Sequence, residues 1–563
     1  MSGINLKNAG FSISEFETIV NTVKRKLEER GCFLTKQGYT LNIVKNDYLQ
    51  GDEYSVTADN NEAMIVTGGL CGAFAAVGDY LRHCSFDGKG GFNPFVGSFA
   101  LKPGYPIRGM YFASHFKNFY EMAPIKEVKQ IIEDLALRGC NALEVWYDMH
   151  QYDAIDSPES MSMIRRLKQI LKHAVSVGMK TVFLTLANES FQTSDTKIRA
   201  EWKIQNGYFK SPCGHYHVEI CPNKKGGLQE ILRQRRIVME AFSDIHIDYI
   251  CIWPYDQGGC TCAECAPWGA RGYLKTVEAL HKLYAEILPN TKLICSTWYF
   301  DNFIHNEWQN FIKKFNGGDY NYISYFMGYF SNEETVPDTI RKGKMPGGKG
   351  MIAFPEISMY GMEPWGSFGA NPMPMRLQNN FQKNGGLYLG ALPYSEGIFE
   401  DINKALMLSF YSSKTKFAQE VLQEYAHFEL CLQGTLADDF VRMIMLMEET
   451  LCRNSQAAFG NSPYQDIRII IEKTEHVIEI KQLADLIDKT LTGNIRNSWR
   501  WQILYLRATM DNELLAHDMH FSDLFNECAE KLERLYHADS AYFYVAPLTK
   551  RIISSTSCEE KQL

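Results

Sequence analysis

"ALEVWYDMHQYDAIDSPESMSMIRRLKQILKHAVSVGMKTVFLTLANE", Ala142 to Glu189, decides the fold. It opens on a strand-like run, "ALEVWYDM", passes through the amphipathic helix "MSMIRRLKQILKHAVSVG", and closes on a second strand-like run, "KTVFLTLANE". Both strands are near-continuous apolar runs rather than alternating ones. That is the pattern of parallel strands covered on both faces, joined by a helical crossover. Outward from this unit the same rhythm repeats. From Tyr105 onward the strands are "PIRGMYFAS", "ALEVWYDM", "KTVFLTLANE", "IDYICIWPYD", "KLICSTWYFD", "NYISYFMGYF", "GMIAFPEISM" and "LYLGALPYSE", with helices between them. Eight β-α units over roughly 300 residues predict an α/β fold, a (β/α)8 TIM barrel, across residues 104–412. The connection after the third strand, roughly 35 residues, is long enough to cap one face.

The flanks read differently. Residues 1–103 predict a small N-terminal α/β accessory domain: the helix "FETIVNTVKRKLEER", the strands "YTLNIVKN", "EYSVTAD" and "EAMIVTGG", then a glycine-opened buried helix. Across 413–563 strand signals nearly vanish, and helical periodicity predicts a C-terminal helical domain packed on the barrel. "WRWQILYLR" belongs to one of those helices, where its aromatics serve packing.

A chain of 563 residues needs more than one core. Its net charge of -8 offers no electrostatic case for nucleic acid or an anionic membrane surface. The N-terminus lacks the basic start and apolar core of a signal peptide, and no apolar run approaches a membrane span, so a cytoplasmic location is expected. The 15 cysteines fit reduced thiols better than a disulfide framework. "GKMPGGKG" nearly spells a phosphate loop, but Gly350 stands where Ser or Thr should bind magnesium.

In such a barrel the C-terminal strand ends build the active site. They supply His115, then Trp146 and Asp148, then Asn188 and Glu189, then Tyr255 and Asp256. Strands five to eight add Trp298, Tyr299 and Asp301, Tyr325, Glu356, and finally Tyr394 and Glu396. Acids, amides and aromatics suit glycoside hydrolysis, which needs two carboxyl groups flanking the glycosidic oxygen and flat faces for a sugar ring. A single strand-end acid is as readily a loop cap or salt-bridge partner; several on one rim are harder to explain that way.

The order of parts resembles glycoside hydrolases of the β-N-acetylhexosaminidase, O-GlcNAcase and α-glucuronidase type. "YSVTADNNEAMIVTGGLCGAFAAVGDYL" looks like the strand and glycine-opened helix of their accessory domain, and "PIRGMYFAS" like the first barrel strand that follows. "EICPNKKGGLQEIL", "DQGGCTCAECA" and "PYSEGIFEDINKALMLSFYSSKTKFAQEVLQEYAHF" are similar to bacterial proteins related to endo-β-N-acetylglucosaminidases. The hexosaminidase pattern ends strand four in an acidic pair; here Asp256 is followed by Gln257, a departure that argues against substrate-assisted catalysis. The expected catalytic carboxyls are two of Asp256, Glu396, Glu356 and Glu189, with Asp256 as acid and Glu396 as its favoured partner. The α-glucuronidase reading requires a basic residue for the sugar carboxylate, Arg108 or Arg376, although Arg108 also reads as a brace of the barrel. A non-catalytic sugar-binding protein is the rival from another class.

"CTCAEC" offers Cys260, Cys262 and Cys265, and the loop after strand three offers Cys221 as a fourth ligand, with Cys213 and His217 as alternatives. Four thiolates imply a structural zinc with no open position; the competing reading is reduced thiols packing a loop. Catalysis itself calls for no cofactor. A carbohydrate is the expected small-molecule partner; the oligomeric state stays open, with a homodimer through the helical domain as one arrangement.

Overall fold

The computed structural model describes residues 3–115, 117–202, 218–255, 259–301, 306–328, 341–342, 345–358, 369–412, 416–450, 473–518 and 520–538. The eight parallel barrel strands are Ile107–Phe112, Ala142–Trp146, Lys180–Leu186, Tyr249–Trp253, Lys292–Ser296, Ile323–Gly328 and Gly350–Ala353, then an eighth in two pieces, Gly390–Ala391 and Tyr394–Ser395. The barrel closes because strand one pairs with strand two (Ala142 opposite Gly109) and also with strand eight (Gly390 opposite Ile107, Tyr394 opposite Tyr111). At that seam Gly390 holds φ 147°, and a Cβ there would lie 1.8 Å from the Ile107 carbonyl oxygen. Only glycine permits that approach.

Alternate residues of each strand face the lumen, as a two-residue side-chain period requires. Val182, Leu184 and Leu186 of strand three and Tyr249, Cys251 and Trp253 of strand four join a lumen cluster with Ile107, Tyr111, Ile352 and Tyr394. The opposite faces pack on the surrounding helices in a second, larger core that also takes in residues of the flanking regions. The near-continuous apolar strands of the sequence are thus buried on both sides.

Before the barrel lies a six-stranded sheet in the order Phe33–Leu34, Gly3–Ala9, Tyr39–Lys45, Glu62–Thr67, Tyr54–Ala58, Gly97–Leu101. Its helix Leu70–His83 meets barrel helix Ile125–Leu137 so closely that a Cβ on Gly78 would lie 1.9 Å from the Leu137 carbonyl oxygen. After the barrel come helices Ala418–Glu429, Thr435–Glu449, Thr474–Thr490, Trp499–Ala516 and Asp523–Tyr536, each long helix packing on the next. Trp501 is buried among them and its indole N–H donates to Asp488.

The three regions meet at a buried ionic network. Glu429 accepts from Lys26 of helix Ile13–Glu29 and from Arg30 just past its end, both at 3.1 Å, and from Arg138 at 2.9 Å. Asp134 is paired by Arg25 at 2.7 Å and Arg500 at 2.6 Å. Arg108 belongs to this bracing, which corrects its expected place in the site. Its guanidinium binds Asp52 at 2.8 Å and the carbonyls of Tyr105 and Gly139, at the start of strand one. That is the opposite end of the barrel from the rim. Among the described residues no helix is long and apolar enough to cross a membrane.

Candidate active site at the C-terminal rim of the barrel

Strands seven and eight bring two acids to one place. The backbone of Glu356 bridges Tyr394, whose N–H donates to the Pro355 carbonyl at 2.9 Å. The Tyr394 hydroxyl donates to Glu396 Oε1 at 3.1 Å, and His115 Nε2 lies 3.4 Å from that hydroxyl. On the other side Ser358 donates to Glu356 Oε1 through its hydroxyl at 3.1 Å and its N–H at 3.3 Å. Burial pushes the Glu396 carboxyl up to about 8, helped by the neighbouring charges of Glu356 and Glu400, while Tyr394 and Asn118 pull the other way. These surroundings favour the protonated form of Glu396 at neutral pH.

The loop bearing Glu396 is pinned from behind. Glu400 Oε1 accepts from Ser395 Oγ at 2.6 Å and from the N–H groups of Glu396 and Gly397, both at 2.7 Å. The Tyr536 hydroxyl of the last described helix donates to the Glu396 carbonyl at 2.9 Å. The C-terminal helices thus hold a rim residue in place.

Aromatic rings line the mouth. Trp253 meets Trp298 at 5.4 Å and Phe354 at 4.8 Å between ring centroids, and Phe354 meets Tyr394 at 6.1 Å. Tyr111 lies 5.3 Å from Tyr394, and Trp146 lies 5.1 Å edge-on to His115. Tyr325 packs nearby against Tyr249. Tyr111, Asn118, Trp253, Phe354 and Glu400 were not singled out by the strand-end inventory. The signal for Trp253 was available: it shares parity with Tyr249 and Cys251. A further inward acid, Glu144 on strand two, is pushed up to about 8 by burial, which favours its neutral form beside Cys251.

Other expected rim residues are engaged with protein partners of their own. The Tyr255 hydroxyl donates to Glu307 behind strand four at 2.5 Å. Asp301 Oδ1 caps helix Glu307–Asn316 through the N–H groups of Glu307 and Trp308. Asn188 donates to the carbonyls of Ile220 and Gly259, at 3.1 and 3.0 Å. Asp148 pairs with His150, both buried. Tyr299, at φ 61°, leans on Trp298 at 4.8 Å. Glu189 is fully buried: Oε1 accepts from Leu186 N and Thr185 Oγ1, and Oε2 from the Trp146 indole N–H at 3.2 Å. Burial raises its carboxyl to about 7, against the pull of Arg235. Asp256 lies outside the described residues, as do Cys213 and His217.

The cysteines form a second cluster beside the rim. The sulfurs of Cys221, Cys260, Cys262 and Cys265 all lie within 4.8 Å of one another. Cys221 Sγ is 3.8 Å from that of Cys262 and 3.7 Å from that of Cys265. Hydrogen bonds from Cys260 and Cys265 draw the Cys221 thiol far below its ordinary range.

No family model and no curated protein matches the chain. Solved structures do. A family 89 glycoside hydrolase from Clostridium perfringens, in complex with its substrate GlcNAc-alpha-1,4-galactose, superposes with TM-score 0.59 at 13% identity. The match covers 93% of this chain and 64% of that one, so this chain spans less than two thirds of that enzyme. A family GH115 4-O-methyl-α-glucuronidase with specificity for decorated arabinogalactans gives TM-score 0.60 at 10% identity over 98% and 78% of the two chains. The GH20 β-N-acetylhexosaminidase from Streptomyces coelicolor gives 0.51 at 12% identity over 76% and 91%. At these identities the likeness is one of fold.

Proposed function

We propose that this chain is a glycoside hydrolase working at the C-terminal rim of its barrel, with Glu396 and Glu356 as the catalytic carboxyls. One observation carries the reading: Glu356 and Glu396 bracket Tyr394 at adjacent strand ends, and the charge of Glu356 helps keep Glu396 protonated. A carboxyl held in its protonated form beside a second carboxyl is what acid-base cleavage of an acetal needs. Glu396 gives its proton to the glycosidic oxygen as the bond to the anomeric carbon breaks. Glu356 supplies the electron pair, either directly to that carbon or by taking a proton from the attacking water. The flat faces of Trp146, Trp253 and Trp298 suit the apolar face of a pyranose ring.

N-acetylhexosaminides come first as substrates because the family 89 and GH20 neighbours act on such sugars. The glucuronide reading is weakened by Arg108, which braces the far end of the barrel. Asp256 is the alternative acid, from its place in the sequence at the end of strand four.

The test is turnover of aryl N-acetylglucosaminide, N-acetylgalactosaminide and glucuronide by wild type, Glu396→Gln, Glu356→Gln and Asp256→Asn. Loss of about 10²–10⁴-fold in both glutamate variants supports the pair. Loss in Asp256→Asn with Glu396→Gln still active moves the acid to strand four. Sugar binding without turnover in the wild type would leave a binding protein and overturn the reading.

A further inference from the structure

We propose that Cys221, Cys260, Cys262 and Cys265 hold one structural zinc ion that clamps the segments after barrel strands three and four to each other. A tetrahedral tetrathiolate with Zn–S bonds near 2.3 Å places its sulfurs about 3.8 Å apart. Cys221 Sγ lies 3.8 Å from that of Cys262 and 3.7 Å from that of Cys265, with all four sulfurs inside 4.8 Å. A disulfide would need about 2.05 Å. Three of the cysteines are buried and Cys262 is half-buried, so the site is enclosed by protein.

The surroundings suit a negatively charged metal-thiolate group. Asn223 Nδ2 donates to Cys265 Sγ at 3.2 Å, and its carbonyl oxygen in turn accepts from Lys275 at 2.5 Å. Outer donors of this kind orient ligands and offset thiolate charge. Four protein donors complete a tetrahedron, which leaves the ion a structural role and no coordination position for substrate.

What the ion would hold is visible in the backbone. Ile220, next to Cys221, donates its N–H to the Asn188 carbonyl at 2.8 Å, and Asn188 Nδ2 reaches back to the Ile220 carbonyl. The same amide nitrogen reaches Gly259, next to Cys260. Asn188 is thus stitched to both segments that the cysteines join, one residue from Glu189. Metal loss should loosen this corner of the rim before it loosens the barrel.

The experiment is elemental analysis of the full chain purified under reducing conditions, with Cys262→Ser and Cys265→Ser variants and Cys71→Ser as control. About one zinc per chain is expected in wild type and control, falling at least about tenfold in the two cluster variants. Should those variants fail to fold, cobalt exchanged into the wild type gives the second readout, the intense visible spectrum of a tetrahedral tetrathiolate site. Hydrogen exchange at residues 186–190, 218–221 and 259–265 should rise on chelation. Metal-free protein with four titratable thiols at the cluster, a disulfide among them, or iron in place of zinc would overturn the proposal. None of these measurements uses a sugar, so the result stands apart from the glycosidase reading.

Discussion

Tyr394 donates its hydroxyl hydrogen to Glu396, two residues on and just past the end of the strand piece Tyr394–Ser395, at 3.1 Å. Side chains two apart on a strand share a face, so the pair points together into the mouth of the barrel. The bond favours the ionised carboxylate, whereas burial and the charge of Glu356 favour the acid, and these win, at about 8.

A pH dependence follows. If protonated Glu396 is the acid, kcat/KM holds below about pH 8 and falls as pH rises through that value. Tyr394→Phe removes a bond to the carboxylate, so its pKa rises and the basic limb of the profile moves to higher pH. A limb that stays put in Tyr394→Phe would detach Glu396 from the rate-limiting proton transfer.

Glu400 predicts the opposite shift. Its charge raises Glu396, so Glu400→Gln lowers the Glu396 pKa and moves the basic limb to lower pH. The carboxylate also holds three donors around Ser395, Glu396 and Gly397, and a glutamine oxygen can accept at least part of that set. Glu400→Ala keeps none, so it should lose more kcat than Glu400→Gln with less change in KM. Equal losses in the two variants, without a shifted profile, would leave Glu400 with a merely structural part.

The junction of the three regions should set acid stability. Burial opposes ionisation of Glu429, Asp134 and Glu424, but the cations around them outweigh it, and all three are drawn below the usual carboxylate range, Glu424 to about 2. Groups depressed in the folded state contribute stability that is present above their unfolded value, near 4, and lost as pH falls toward the folded values. Melting temperature should therefore drop steeply between about pH 4 and pH 2. Glu429→Gln, which leaves Lys26, Arg30 and Arg138 short of a counter-charge, should cost about 3–5 kcal/mol at neutral pH. Denaturant melts of wild type and variant across pH check both statements.

The barrel was legible because its strands carry a simple physical signature: apolar on both faces, separated by amphipathic helices. Three strands of the first sheet were not, among them the two-residue Phe33–Leu34. Gly3–Ala9 ends in exposed Lys7, Asn8 and Ala9, and Gly97–Leu101 is an edge strand with alternate exposure, so neither shows a continuous apolar run. The rim was legible as a list and not as a direction. Tyr394 faces the lumen and its hydroxyl reaches Glu396, whereas Pro254 follows the last residue of strand four and Tyr255 turns to Glu307. Asp301 and Asn188 are polar groups spent on backbone caps and carbonyls. Glu400 and Asn118 act from turn and loop positions, each just before a helix, that no strand-end inventory visits.

Glu189 offers the sharpest separation of catalysis from positioning. Its carboxyl is buried with both oxygens accepting hydrogen bonds, one of them from the Trp146 indole that stands against His115. On this geometry Glu189 is expected to aim Trp146 rather than to act on substrate. Glu189→Gln keeps an acceptor oxygen for Leu186 and Thr185 and should retain activity within about tenfold, its loss appearing in KM, while Glu189→Ala empties the site and loses more. If the two residues act as a unit, Glu189→Gln combined with Trp146→Phe should be no worse than the more damaged single variant, because the second change removes a partner already lost. A catalytic carboxyl behaves otherwise: Gln and Ala would fall together by about 10²–10⁴-fold in kcat, and the double variant would lose the two effects additively.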